Sequence, residues 1–222
     1  MPRPTDPGSK TGDERRRAIL QAGIACLAQR GYEGVRLKDV AQAAGVSIGS
    51  LQHLFDSRDA LLEEIFRQAS RDQSVAWHAD ATSGLDPWRR LELLFAGLAQ
   101  STGHGSMIWS ELGAAASRHE ALRPVFTDIY DTWRRMLTSV IEDGIAQGLF
   151  QPTLPPTQAV DILLAHADGC EFALAVPLPQ ASAAQLLENS LALARLLLGP
   201  TGPGQRHGAN PQEQTPQEPN ND

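Results

Sequence analysis

Only two of the 222 residues are cysteine, Cys26 and Cys170, and each falls inside an apolar helical pattern. Two thiols cannot make the framework of a disulfide-stapled secreted domain, nor supply a four-cysteine metal site. A reducing, cytoplasmic setting is the expectation. The stretch Met1 to Gly12 lacks the apolar run that enters a translocon, so no signal peptide is read there. The most apolar segment, Ala159 to Leu178, carries Asp161, His166, Asp168 and Glu171, which disqualifies it as a membrane span. Strand signals are nearly absent, with no alternating Val/Ile/Thr runs and no Asn-Gly hairpin turn. Positive charge is in deficit as well: 19 Lys and Arg stand against 26 Asp and Glu. A sequence pI near 5.3 argues against general coating of nucleic acid. Catalytic signatures are missing too, since there is no Gly-rich nucleophile elbow, HExxH or Walker loop. The one suggestive pair, His166 and Cys170, is i and i+4 on a helical face. It supplies half of a metal shell and reads as a satisfied histidine beside a buried thiol. No enzyme, cofactor or metal site is expected.

What remains is a chain with 41% apolar and 20% charged residues, ordinary for a folded globular protein. Apolar spacing of i, i+3, i+4 recurs throughout, which makes the protein all-α. Ile19, Ala22, Gly23, Cys26 and Leu27 form a first stripe, opened near Asp13 and stopped by Gly31. Short helices follow over 37–44 and 48–55, the second capped by Ser47, and a fourth starts near Ser57. Longer helices are read over about 86–102, 106–117, 120–147, 156–176 and 181–198, the first of them with an Asp86 cap and Pro87 at its first position. Residues 1–12 and 199–222, rich in Pro, Gly and polar side chains, read as disordered tails.

The informative segment is Leu37 to Leu54, LKDVAQAAGVSIGSLQHL. Val40, Ala44, Val46, Leu51 and Leu54 make one apolar side across two short helices joined by a tight turn. Ala41 must be small where the helices cross, and Gly45 supplies the left-handed backbone that turns the chain. A helix-turn-helix of this kind puts its second helix into the DNA major groove. The readers are then Ile48, Gly49, Ser50, Gln52 and His53. Gln52 can bond bidentately to adenine, Ile48 can pack on a thymine methyl, and Gly49 lets the helix approach the bases. Ser47, Lys38, Arg36, Arg58 and the Arg15 to Arg17 cluster are placed to meet phosphates. The first 60 residues hold nine basic and seven acidic side chains, so the excess of positive charge sits in this head.

From Asp13 to Leu62, and above all over GYEGVRLKDVAQAAGVSIGSLQHLFDSRDALL, the chain resembles the TetR family of transcriptional repressors. The resemblance implies a three-helix DNA-binding domain (13–58) followed by a helical effector-binding and dimerisation domain (59–198). It also implies a homodimer on a palindromic double-stranded DNA operator, released by a small-molecule effector. Three residues depart from the family pattern. Gln52 stands where Tyr is common, Ile48 where a polar residue often sits, and Arg36 where the second helix ordinarily starts with Ser or Thr. The operator therefore cannot be copied from a relative.

In the body, the last two helices offer a dimer seam: Leu163, Ala167 and Leu174 on one, Leu187, Leu191, Ala194 and Leu198 on the other. Phe95, Met107, Trp109, Phe126, Trp133 and His166 have the composition of a small-molecule pocket. Glu111, Asp168 and Glu171 add carboxylates near them in sequence, a combination that suits an organic cation. By family analogy the effector moves the fourth helix. The competing reading is a DNA-binding regulator without small-molecule response, acting through a protein partner; a fully packed body would favour it.

Overall fold

The computed structural model describes residues 8–81, 84–100, 104–176, 178 and 182–199. Among them the chain forms helices and no strand: α1 Gly8–Gly34, α2 Leu37–Ala43, α3 Ile48–Leu54, α4 Arg58–Ala81, α5 Pro87–Gln100, α6 His104–Arg118, α7 Arg123–Ala146, α8 Pro156–Ala175 and α9 Ala183–Leu198. One 3-10 turn, Glu120–Leu122, leads into α7. The all-α expectation holds, with a helix-turn-helix head followed by a helical body. No helix among the described residues is long and apolar enough to cross a membrane.

Local chemistry sets the helix ends. Asp86 Oδ1 accepts from the backbone N–H of Trp88 at 3.0 Å and of Arg89 at 3.1 Å, satisfying donors that the first turn leaves orphaned. The Ser57 hydroxyl accepts from Ala60 N at 3.0 Å at the start of α4. At the other end of the chain, Gly199 stops α9 in a left-handed conformation (φ 50°). Residues 8–12 extend α1 rather than belonging to a tail, while the remainder of the expected tails, 1–7 and 200–222, lies outside the described residues. Gly31 does interrupt α1, with φ 67° and ψ 171°, and the chain resumes as a last short piece of helix to Gly34.

Among the described residues the buried side chains gather into two apolar cores. The first joins Ile19, Leu27, Val40, Leu51, Leu62, Ile65 and Phe66 of α1 to α4 to Ile108 and Leu112 of α6 and Val125 and Ile129 of α7. The second joins Leu91 of α5, Ile141 of α7, Leu163 of α8 and Leu198 of α9. Burying a side chain such as Phe66 stabilises the fold by about 1.5–3 kcal/mol. Among the described residues the helix-turn-helix head therefore shares its core with α6 and α7. Close approaches depend on missing side chains. A Cβ at Gly23 of α1 would stand 2.3 Å from Ile65 Cδ1 of α4, so this glycine is what lets the two helices pack together.

Candidate nucleic-acid interface and ligand cavity

The turn between α2 and α3 is built as its residues require. Gly45 has φ 66°, and Val46 N donates to Ala41 O at 2.9 Å, closing the bend. Val40, Ala41 and Leu51 are buried, and Leu37, Ala44, Val46 and Leu54 pack against them. The opposite face of α3 is left to solvent: Ile48 is 47% exposed, and Gly49, Gln52 and His53 are exposed too. Ser47 caps the helix, its hydroxyl accepting from Ser50 N at 3.1 Å, and Ser50 is half-buried beside it. A Cβ at Gly49 would meet only Ser47 Oγ, at 4.0 Å, so packing within the chain does not demand glycine there. Arg36 and Lys38 are exposed on α2 and its N-cap, with Asp39 Oδ2 accepting from Arg36 N at 3.0 Å.

Two of the arginines assigned to phosphates are engaged inside the protein. Arg58 donates through Nε to Val35 O at 2.8 Å and through a terminal nitrogen to Tyr32 O, and it lies 4.8 Å above the Tyr32 ring. It clips the end of α1 and the entry to α2 onto the first turn of α4. Arg16 is held by Glu64 at 2.6 Å, donates to Leu54 O at 3.3 Å and covers the Phe55 ring at 4.6 Å. Arg15 and Arg17 remain exposed.

Where the two cores meet, a cavity of about 180 Å³ opens between α4, α5, α6, α7 and α8. Of the residues singled out from the sequence, Phe95, Trp109, Trp133 and Glu171 line it, joined by Phe66, Tyr130, Met136 and Asp168. Met107, Phe126 and His166 do not. Met107 is 40% exposed, Phe126 stacks against the Trp109 ring (centroids 4.9 Å apart), and His166 turns to Ser190 of α9 at 2.9 Å. Glu111 also faces elsewhere, toward α1. Asp168 and Glu171 bring carboxylates into apolar surroundings, Glu171 only 5% exposed. Burial pushes the Asp168 carboxyl above its ordinary value, and the hydrogen bond it accepts from Trp109 Nε1 at 3.0 Å pulls it part of the way back. Burial likewise raises the Tyr130 phenol.

Beside the cavity, Cys170 Sγ lies 3.5 Å from His166 Nε2. Burial pushes the thiol up and the imidazole down, so at neutral pH both are uncharged and the pair lacks a thiolate nucleophile. Among the described residues no group of three or more His, Cys, Asp and Glu could hold a metal ion.

Residues 19–65 match the model of bacterial regulatory proteins of the TetR family, and residues 88–197 match that of the C-terminal domain of BetI-type transcriptional repressors. The chain belongs to the TetR family. It is 30% identical over 149 residues to the transcriptional repressor KstR2 of Mycobacterium tuberculosis (strain ATCC 25618 / H37Rv), covering 64% of this chain and 72% of that protein. A solved structure described as a TetR-family transcriptional regulator from Rhodococcus sp. superposes with a TM-score of 0.74 at 29% identity, over 83% of this chain and 98% of that one. A Saccharomonospora viridis protein described as a transcriptional regulator and solved in complex with choline shares the fold. Its TM-score is 0.72 at 23% identity, over 80% of this chain and 94% of that one.

In this TetR-family chain several residues of the expected dimer seam face inward. Leu163, Ala194 and Leu198 are fully buried within the chain, and Leu163 and Ala167 line the cavity, so these residues serve the chain's own core. Leu174, Leu187 and Leu191 are half-buried. The apolar surface that α8 and α9 turn outward is a different stripe. On α8, Ala165, Gly169, Phe172 and, just beyond, Val176 recur at helical spacing; on α9 the exposed apolar residues include Ala184, Ala192 and Leu196, among exposed Gln185, Glu188 and Asn189. Phe172 is 61% and Leu196 74% exposed.

Proposed function

We propose that this protein is a dimeric, cytoplasmic transcriptional repressor that binds a palindromic duplex operator and releases it when a compact organic cation enters the cavity. The observation that carries the reading is the face of α3 bearing Ile48, Gly49, Gln52 and His53: exposed, and supported from behind by buried Leu51. A single short reading helix buries too little for a specific site, and two-fold pairing through the outward stripe of α8 and α9, Phe172 and Leu196 above all, doubles it. Arg36, Lys38 and Ser47 meet phosphates beside the groove.

The effector class follows from the cavity. Aromatic faces of Trp109, Trp133 and Tyr130 with the Asp168 and Glu171 carboxylates suit a cation. At about 180 Å³ it is smaller than the roughly 300–1,000 Å³ of sites for drug-sized ligands. The choline bound to the Saccharomonospora viridis relative has the matching charge and size class. An open cavity at the junction of the two cores also argues against a regulator that ignores small molecules. Fluorescence anisotropy on a labelled duplex selected from a random pool tests the proposal. Choline or tetramethylammonium at saturation is expected to weaken binding about 5- to 150-fold, a coupling of roughly 1–3 kcal/mol. Unchanged affinity with both compounds would remove the cation, and unchanged affinity across a wider panel would remove the effector.

A further inference from the structure

The wall of the cavity formed by α6 is also the floor of the DNA-binding head. Ile108, Trp109 and Leu112 of α6 line the cavity, while Glu111 on the same helix reaches α1 and accepts from the backbone N–H of Tyr32 at 2.6 Å. That amide follows the break at Gly31, where the turn of the backbone takes it out of the regular helical ladder. Gly31 serves the contact twice. Its φ of 67° exposes the Tyr32 amide to a partner from outside the helix, and a Cβ at Gly31 would stand 3.1 Å from Glu111 Oε1. A carboxylate accepting from a buried backbone donor is among the stronger hydrogen bonds available.

Tyr32 is in turn the hub of the head. Its hydroxyl donates to Asp59 Oδ1 at 3.2 Å, its carbonyl accepts from Arg58, and its ring lies beneath the Arg58 guanidinium. Arg58 and Asp59 form the first turn of α4, and Arg58 also holds Val35 at the entry to α2. A continuous run thus leads from Asp168 through Trp109 Nε1, along about half a turn of the α6 backbone to Glu111, and through Tyr32 and Arg58 to the helices that carry the turn.

We propose that Glu111 is the positioning residue that couples occupancy of the cavity to the setting of the helix-turn-helix. This rests on the ligand-responsive reading above, and it assigns the coupling to the α6–α1 contact rather than to α4 alone. A guest between the aromatic rings and Asp168 competes with Trp109 for the carboxylate and shifts α6. The Glu111 carboxylate then carries Tyr32, and with it the α2 and α4 entries, to a new spacing.

The test needs neither ligand nor operator. Hydrogen–deuterium exchange is followed over residues 32–62 of the full chain in four proteins: parent, Asp168→Ala, Glu111→Ala and the double variant. Cutting the Trp109 anchor with Asp168→Ala is expected to raise exchange over 32–62 by about threefold or more in the parent background, and by less than about 1.5-fold once Glu111→Ala is present. Glu111→Gln, whose amide oxygen still accepts from Tyr32 N, is expected to restore part of the response, and it serves alone if Glu111→Ala fails to fold. A merely structural Glu111 would lower stability without erasing the response to Asp168→Ala. Equal responses in both backgrounds, or no response of 32–62 in the parent, would overturn the proposal. Failure to select any duplex would instead sink the regulator reading and leave this exchange cycle standing.

Discussion

Replacing Arg58 separates two roles that its sequence position allows, phosphate contact and internal clip. The guanidinium donates to two backbone carbonyls, Val35 O at 2.8 Å and Tyr32 O, and covers the Tyr32 ring at 4.8 Å. Hydrogen bonds from a charged donor contribute about 1.5–3 kcal/mol, and a cation over a ring near the surface about 0.5–1 kcal/mol. The ion pair with Asp59, whose side chain is 62% exposed, adds at most about 1 kcal/mol after solvent screening. All three share one side chain and overlap, so Arg58→Ala is expected to cost about 2–4 kcal/mol. For a chain of this length that corresponds to a Tm lower by roughly 5–15 °C in a circular dichroism melt. Arg58→Lys keeps the charge that a phosphate would feel but loses the planar fork, and it is expected to recover less than half of the loss. If Arg58→Ala instead melted within about 1 °C of the parent while losing DNA affinity, the clip would be refuted and the phosphate role restored.

Three further outcomes follow from the same geometry. Gln52→Ala and Ile48→Ala, on an exposed face, should leave Tm within about 1–2 °C and cost about 1–3 kcal/mol of discrimination between duplexes, read by competition anisotropy; a matching loss of stability would place them in the core instead. Because burial raises the Asp168 pKa in the folded state, the ionised carboxylate opposes folding. Asp168→Asn should therefore raise Tm progressively as pH climbs from the ordinary 3.8 through the shifted value, with no gain in acid, and cation affinity of the parent should fall as pH drops through that window; a pH-independent difference between the two proteins would contradict this assignment. Gly144→Ala places a Cβ 2.1 Å from the Phe150 ring and should cost about 1–3 kcal/mol in urea unfolding despite alanine's better helix propensity, whereas a Gly45→Ala cost of about 1–2 kcal/mol would come from φ 66° alone, since nothing lies within 4 Å; a neutral Gly144→Ala would show that the ring yields freely.

The head was legible because its chemistry is local. The bend at Gly45, the Ser47 cap, buried Leu51 and exposed Gln52 all follow from a period of 3.6 and a positive φ. Charge was less informative: a basic residue after Ser57 announces an arginine near DNA, but only the fold directs Arg58's donors to Tyr32 and Val35. In the body, the order of helices is legible in the sequence, whereas the direction in which each apolar face points is not. On α9, Ala194 and Leu198 pack inward, opposite a face that carries Gln185, Glu188 and Asn189; Leu196 is an exposed apolar residue on that polar face. Cavity membership was hidden for a related reason. Phe66, Tyr130 and Asp168 are far apart in sequence, and a hydrogen bond such as Trp109 to Asp168 spans 59 positions. Aromatic composition pointed to Trp109 and Trp133 but could not exclude Phe126, which packs behind the wall it was expected to form.

The proposed function requires the exposed face of α3 to read a base sequence, twice per assembly. Selection from a fully randomised duplex pool by the purified full-length chain, with sequencing of the retained strands, measures this directly. The expected result is enrichment of an inverted repeat whose half-sites lie about one helical turn, roughly 10–10.5 base pairs, or a multiple of it apart, and loss of that enrichment in Gln52→Ala. Retained strands indistinguishable from the input, or the same repeat recovered with Gln52→Ala, would contradict it.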